Sequence, residues 1–330
     1  MYDKVKFWLD RSVVDGDSFQ AIADHLSKAV EQIDRKTGGT KVYGCLDGLK
    51  VSVFCNGVSI IGSLPKYLYP NTIYPLDRHT TKEAIEKLSD ELSIDIAKAD
   101  VTGLEFGTVF LLSNSVHRYL ERLGEMPYPM HRLQFIKDSL YYITGSKQLP
   151  QPKAFVFYDK VAEAKKKKLT LPKGFEGLNI LKYELRLNGR LPKQLKTPAV
   201  KASTLYDRSL YRSLLQRWQS NYFAIGKQKL LKASNMNGVL KSIRDNAKGE
   251  NITVSDVSNF IVGALMANPT NQELVTGIID GLKDANVFTD RKYYSRLKGR
   301  FKPATEAGGL VEDELIKELD NAVKNSAAYL

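Results

Sequence analysis

The sequence predicts an α+β fold: a mixed or antiparallel sheet with flanking helices, followed by an all-helical C-terminal region. Three observations carry this. Short segments of alternating apolar and polar residues recur through the first part of the chain. Helical spacing of apolar residues separates several of them. From about residue 203 the helical spacing continues to the end, with no internal repeat. The expected division is therefore a sheet-bearing domain over 1–202 and a helical region over 203–330.

Residues 4–9 and 50–55 alternate like strands, and the apolar stretch at 57–62 is placed to pair with the latter. Between the first two, Phe19, Ile22, Leu26, Val30 and Ile33 recur at helical spacing and are closed by Gly38-Gly39, which predicts one helix. A second helix starts at Thr80, with Glu83 at capping-box spacing and Ile85, Leu88 and Leu92 on its apolar face. A third carries Val116, Tyr119, Leu120 and Leu123 and stops at Gly124.

Three later segments read as strands with one polar face. In 98–102 (KADVT), Lys98, Asp100 and Thr102 lie opposite Ala99 and Val101. In 154–158 (AFVFY), Tyr158 points with Ala154 and Val156, away from Phe155 and Phe157. In 181–187 (LKYELRL), Lys182, Glu184 and Arg186 lie opposite Leu181, Tyr183, Leu185 and Leu187. If these strands are neighbours, two carboxylates, a tyrosine hydroxyl and several cations share one face. Beyond them Leu210, Tyr211, Leu214, Leu215 and Trp218 mark a helix, and apolar series at 257–266, 274–282 and 311–323 mark others, separated by NPTN and by Gly308-Gly309.

Composition narrows the function classes. A hydrophobic content of 43% and a charged content of 26% are ordinary for a globular protein. No stretch approaches the roughly 20 apolar residues of a membrane span, and MYDKVKFWLDR has no apolar signal core, so the expected location is cytoplasmic. Cys45 and Cys55 are too few for a disulfide framework or a cysteine metal site. His25, His79, His117 and His131 lack metal-ligand spacing, and no glycine-rich phosphate loop is present, which argues against an ATP-driven motor.

The net charge of +12 is concentrated in one segment. Residues 147–232 hold 20 Lys plus Arg against 5 Asp plus Glu, leaving 29 and 32 for the rest of the chain. A localised basic surplus is the footprint of a polyanion such as DNA or RNA; its plainer reading is a solvated, lysine-rich face. Lys165, Lys166, Lys167 and Lys168, with Lys182 and Arg186, are the candidate phosphate contacts, and Lys201, Arg208, Arg212 and Arg217 are candidates for a basic helix along a duplex.

Phosphodiester transfer requires a nucleophile, neutralisation of the phosphate and a grip on the strand. Tyr158 is the candidate nucleophile. A phenol titrates near pH ~10 and needs a cation or base beside it. Lys160, two residues on, is one such cation; a divalent ion, Mg²⁺ or Mn²⁺, is the other, with Asp100 and Glu184 as its candidate ligands and Glu105 and Glu163 as additional ones. Each has a plainer reading. Tyr158 also reads as a strand end whose neighbour Asp159 caps a helix, and Glu184 as part of an exposed ion-pair row with Lys182 and Arg186.

The strings FVFYDKVAEAKKK and LKYELRLNGRL, preceded by IEKLSDELSIDIAKADVTGLEFG and SLYYITGSK, resemble the ordered signature of the phage and plasmid replication proteins of the filamentous-phage gene-two type. These are related to the rolling-circle initiators of small Gram-positive plasmids. The resemblance runs from MYDKVKFWLDR to about residue 225, roughly two thirds of the chain. It implies an endonuclease and ligase that nicks one strand at a duplex origin, single-stranded or hairpinned at the nick. By motif, Tyr158 would take the 5′ phosphate, Asp100 and Glu184 would bind the divalent metal, and Lys160 would be the cation beside the tyrosine. The released 3′ hydroxyl would prime a host polymerase. Where the family has Arg-x-Asp, this chain has Lys98-Ala99-Asp100, keeping the charge but losing the guanidinium fork. The His-hydrophobic-His metal motif of other rolling-circle initiators is absent, as in this branch. Two other functions remain open: a non-enzymatic DNA-binding replication or copy-control regulator, and a mobilisation relaxase. The C-terminal helices are left to DNA binding, homodimer formation or recruitment of a host helicase.

Overall fold

Alternation in the strand segments is what builds the fold, because it gives each strand an apolar side that has to be covered. The structure is a computed structural model, and it describes residues 1–330 except 14–17, 34–37, 70–72, 128, 136–137, 145–152, 170, 228, 232–235, 248–250, 267–268, 302–309 and 327–330. The chain divides into two compact units, one of 1–111, 129–222 and 326–330, the other of 112–128 and 223–325.

In chain order the first unit contains β1 (Tyr2–Asp10), α1 (Ser18–His25), β2 (Ser27–Ile33), β3 (Thr40–Leu46), β4 (Leu49–Phe54) and β5 (Gly57–Ser63). Then come α2 (Leu64–Leu68), α3 (Arg78–Leu92) and β6 (Asp100–Leu112), whose last residue falls in the second unit along with α4 (Val116–Leu120). The first unit resumes with β7 (Met130–Phe135), β8 (Ser139–Thr144), β9 (Lys153–Asp159), α5 (Lys160–Lys166), β10 (Asn179–Asn188), α6 (Leu191–Leu195) and α7 (Arg208–Phe223). The ten strands form one sheet in the order β2-β3-β4-β5-β1-β6-β10-β9-β8-β7. The neighbours on either side of the centre pair antiparallel. Between β6 and β10, the Gly189 N–H reaches the Thr102 carbonyl while Gly107 lies against Glu184, so these two also run in opposite directions.

One face of the sheet is the core. Val5 and Phe7 of β1, Val51 of β4, Ile60 of β5, Phe106 of β6, Phe157 of β9 and Tyr183 of β10 are all buried there. Helix α7 covers its middle with Tyr211, Leu214, Leu215, Trp218 and Tyr222. Tyr183 is sandwiched, with the Phe157 ring 4.2 Å away on one side and the Trp218 ring 4.7 Å away on the other. Tyr211 packs edge-on against Tyr2 and Phe106. Aromatic pairs of this kind add about 0.5–1.5 kcal/mol each beyond the area they bury, so this stack fixes the floor beneath β9 and β10.

The second unit holds α4, α8 (Met236–Asn246), α9 (Val254–Met266), α10 (Pro269–Asp284), α11 (Lys292–Arg300) and α12 (Glu314–Asn325). It also contains a two-stranded sheet, β11 (Lys229–Leu231) with β12 (Leu310–Glu312). Among the described residues no helix is long and apolar enough to cross a membrane.

The mixed helix-and-sheet class is as expected, and four details differ. The helix expected over Phe19–Ile33 stops at His25; Ser27–Ile33 is the edge strand β2, exposed along its length, because β3 offers it a hydrogen-bonding partner and its apolar residues find no core. Helix α3 begins at Arg78 rather than Thr80, since Asp77 caps it and Thr80 completes the capping box. The C-terminal region is not all-helical, given β11 and β12. The division expected at 202 falls elsewhere, because α7 belongs to the first unit through its aromatic stack on β9 and β10, and residues 112–128 belong to the second. Gly308-Gly309 lies outside the described residues, as does Asn268 of NPTN.

Candidate active site

The face of the sheet opposite α7 is polar at its centre, and register explains why. Tyr158 on β9 lies opposite Lys182 on β10, Val156 opposite Glu184 and Ala154 opposite Arg186. The alternation that buries Phe155, Phe157, Tyr183 and Leu185 on one side sends Tyr158, Lys182, Glu184 and Arg186 to the other. Gly107 on β6 makes this approach possible, since a Cβ there would stand 2.2 Å from the Tyr183 carbonyl oxygen and 2.6 Å from the Glu184 Cα. Chain direction changes directly after the tyrosine: the Asp159 side chain accepts from the N–H groups of Val161 and Ala162 and caps α5.

The Tyr158 hydroxyl donates to Glu184 Oε2 over 3.4 Å. Glu184 is 1% exposed. Arg186 Nε donates to its other oxygen over 2.6 Å, and Lys182 Nζ is 3.5 Å from Oε2. Lys182 also pairs with Asp3 on β1, whose second oxygen accepts from Ser63 at the end of β5 over 2.7 Å. Glu105 on β6 stands 3.7 Å from Arg186. Asp3, Glu105 and Glu184 thereby bring one oxygen each to within 4.8 Å of one another.

Electrostatics follows from this crowding. Burial, and next the Glu184 charge, push the Tyr158 hydroxyl well above the usual tyrosine range, with Lys182 opposing. Burial and Glu184 push Glu105 up to about 7. Burial also works against the charge on Asp3, but Lys182 and the hydrogen bonds from Lys182 and Ser63 outweigh it and hold its carboxyl below the usual range. The same carboxylates overcome burial to hold the charge firmly on Lys182 and Arg186.

The remaining expected residues fall into place around this centre or away from it. Lys160 is buried, donates to Glu163 over 2.7 Å and has its ammonium 5.9 Å from the Tyr158 ring centre, so it faces the ring and Glu163. Asp100 does not join Glu184: Lys98 belongs to a 3-10 turn, the strand begins at Asp100, and its carboxylate pairs with Lys201 at 2.7 Å. The carboxylates that stand beside Glu184 are Asp3 and Glu105. Lys182 is buried against carboxylates and Arg186 bridges two of them, so neither presents a free cation at the surface. Lys165, Lys166, Lys167 and Lys168 are exposed at the end of α5, Lys167 pairing with Glu163. Arg208 and Arg212 are exposed on α7, which covers the opposite face of the sheet from Tyr158, and Arg217 donates to the Gln194 carbonyl.

Sequence reasoning misses Asp3. The one signal for it is a carboxylate placed between the apolar residues Tyr2 and Val5 in a strand that is otherwise buried on one side. Chemically, the centre offers a phenol held by a carboxylate, three hard oxygen donors and two fixed cations. Comparison with protein-family models gave no match, and comparison with curated proteins gave none either.

Proposed function

We propose that this protein nicks and rejoins one strand of DNA at a replication origin, through a 5′-phosphotyrosine intermediate on Tyr158. One observation carries the reading: the hydroxyl of Tyr158 is hydrogen-bonded to Glu184, a member of a three-carboxylate cluster with Asp3 and Glu105. In the step envisaged, the Tyr158 oxygen bonds to phosphorus as the bond to the 3′ oxygen breaks. The phenol proton passes to a carboxylate, and the departing 3′ oxygen is protonated to a hydroxyl. Rejoining is the reverse attack by a 3′ hydroxyl.

The donor set fits a hard divalent cation. Hard divalent cations prefer carboxylate oxygens, and three of these stand within 4.8 Å of one another. Asp3, Glu105 and Glu184 would hold Mg²⁺ or Mn²⁺, which would polarise the scissile phosphate and favour the phenolate. The chain's own groups do the rest. Glu184 orients the hydroxyl, Lys182 and Arg186 offset the carboxylate charge, and the exposed lysines after Ala164 supply sequence-independent attraction that weakens with salt. Origin choice, priming of a host polymerase and helicase recruitment belong to the same proposal.

A second reading has its own support. Lys182 and Arg186 already neutralise much of the cluster, and burial holds Tyr158 protonated, as suits a DNA-binding regulator without chemistry. The separating experiment is a covalent adduct assay with supercoiled DNA and Mn²⁺. A denaturant-resistant protein–DNA species that vanishes in Tyr158→Phe supports nicking. Persistence of the adduct in that variant shifts the nucleophile to Tyr141, which shares this face, because Tyr142 and Tyr183 point into the core. No adduct with any DNA or metal leaves the regulator.

A further inference from the structure

The face that carries Tyr158 continues across β1, β5, β4 and β3, and there it changes character. Register aligns Tyr43 with Ser52, Ser52 with Ser59, and Ser59 with Trp8; in the next row, Lys50 faces Ile61 and Ile61 faces Lys6. The reverse side of these strands is core, with Val51, Val58 and Ile60 buried. The outward side is half-exposed, aromatic and basic. The Trp8 ring lies across Gly57, where an added Cβ would stand 2.6 Å from ring atom Cζ2. The Phe54 ring is 5.8 Å from it. Lys41 Nζ sits 5.0 Å from the Phe54 ring centre and 5.3 Å from that of Tyr43. The β1 carboxylates are engaged, Asp3 with Lys182 and Asp10 with Ser12; Asp100 at the start of β6 pairs with Lys201, and Asp47 lies in the turn between β3 and β4.

Aromatic rings on the open face of a sheet, with lysines beside them, match the two chemical features of a single nucleic-acid strand, a π-face on every base and a charge on every phosphate. A double helix hides the first. We infer that this face binds single-stranded nucleic acid, bases stacking on Trp8, Phe54 and Tyr43 and phosphates meeting Lys6, Lys41 and Lys50. The identification of the strand as DNA rests on the function proposed above. From β1 to β9 there are three inter-strand steps, about 14 Å at roughly 4.8 Å each, and because Trp8 pairs with Asp100 at the start of β6 while Tyr158 pairs with Lys182, the rings are also offset along the strands by roughly 30 Å at about 3.3 Å per residue. The surface thus lies on the same face of the sheet as the tyrosine and several nucleotides away from it.

The test is a titration of the full chain with oligo(dT), in EDTA so that no cutting is involved. The chain has two tryptophans, and Trp218 is fully buried under Tyr183, so quenching reports on Trp8. Quenching is expected in the parent; in the variants, which lack that reporter, binding is read from the anisotropy of fluorescein-labelled oligo(dT), and is expected to be about tenfold weaker in Trp8→Ala and nearly retained in Trp8→Phe, which keeps a ring and guards against a folding artefact. Lys41→Ala and Lys50→Ala should each flatten the salt dependence. Absence of quenching, or parental affinity in Trp8→Ala, overturns the inference, and oligo(U) binding tenfold tighter than oligo(dT) overturns its DNA assignment. Tyr158→Phe is expected to bind oligo(dT) like the parent. Trp8-dependent binding without any adduct therefore removes the nicking reading alone, whereas adduct formation without Trp8-dependent binding removes this inference alone.

Discussion

Replacing Lys182 by Met tests the candidate centre at its most sensitive point. The Lys182 side chain is 3% exposed, is paired with Asp3 and lies 3.5 Å from Glu184. Its loss leaves three carboxylates within 4.8 Å of one another, with Arg186 as the remaining cation that pairs with them. Removing one partner of a buried pair costs about 3–5 kcal/mol. The lower end applies, because Asp3 keeps the hydrogen bond from Ser63 and Glu184 keeps Arg186. A divalent ion at the cluster should then do the ammonium's electrostatic work, and at a hundred times its dissociation constant it returns about 2.7 kcal/mol. The assay is urea unfolding followed by tryptophan fluorescence, since Trp8 and Trp218 both lie in the unit that carries the site. In EDTA, Lys182→Met is expected to be about 3 kcal/mol less stable than the parent. In saturating Mn²⁺ most of that should return, and the parent should gain less because its ion has to displace Lys182. A loss below about 1 kcal/mol in EDTA would refute the neutralising role. A full loss that neither Mn²⁺ nor Mg²⁺ repairs would refute the cluster as a metal site.

Three further outcomes are expected. Glu105 has its folded pKa raised to about 7 by burial and Glu184, so the fold favours its protonated form, and stability present at pH 4 is lost as pH rises towards and past that value. Glu105→Gln should therefore be the more stable protein at about pH 8, by at most about 3 kcal/mol, and no different at about pH 4, as urea unfolding in EDTA at the two values would show. Gly107→Ala forces a methyl into the Tyr183 carbonyl and the Glu184 backbone; it should cost about 3 kcal/mol or more by thermal unfolding and displace Glu184. Asp159→Ala removes the cap of α5 and should cost about 1 kcal/mol, lowering the urea midpoint without changing the slope.

Much of the sheet was legible because period-two alternation is read directly from side chains. The faces assigned to 154–158 and 181–187 follow from that alternation alone, and the register pairs Tyr158 with Lys182 as neighbouring strands require. What local pattern does not encode is which distant strands become neighbours. Strand β6 brings Glu105 level with Arg186, and β1 brings Asp3 beneath Lys182, from separations of 81 and 179 residues. Asp100 looked equivalent to Glu105 by residue type, yet the strand begins at Asp100, which puts that carboxylate beside Lys201 instead. The helix expected over Phe19–Ile33 failed for a related reason. Its apolar spacing is real, but after His25 the backbone is claimed by pairing with β3, and periodicity carries no information about that competitor.

The junction of β9 and α5 has a mechanical consequence. Tyr158 is the penultimate residue of a strand hydrogen-bonded on both sides, and Asp159 locks the turn into the helix within one residue. Below it, the Phe157 ring is pinned flat against Tyr183. The hydroxyl is therefore mounted on an anvil instead of a hinge: it has no loop on which to travel. If cutting and resealing both take place at this oxygen, the moving part is the DNA, and the interval between the two events is set by how quickly a free end finds its way back.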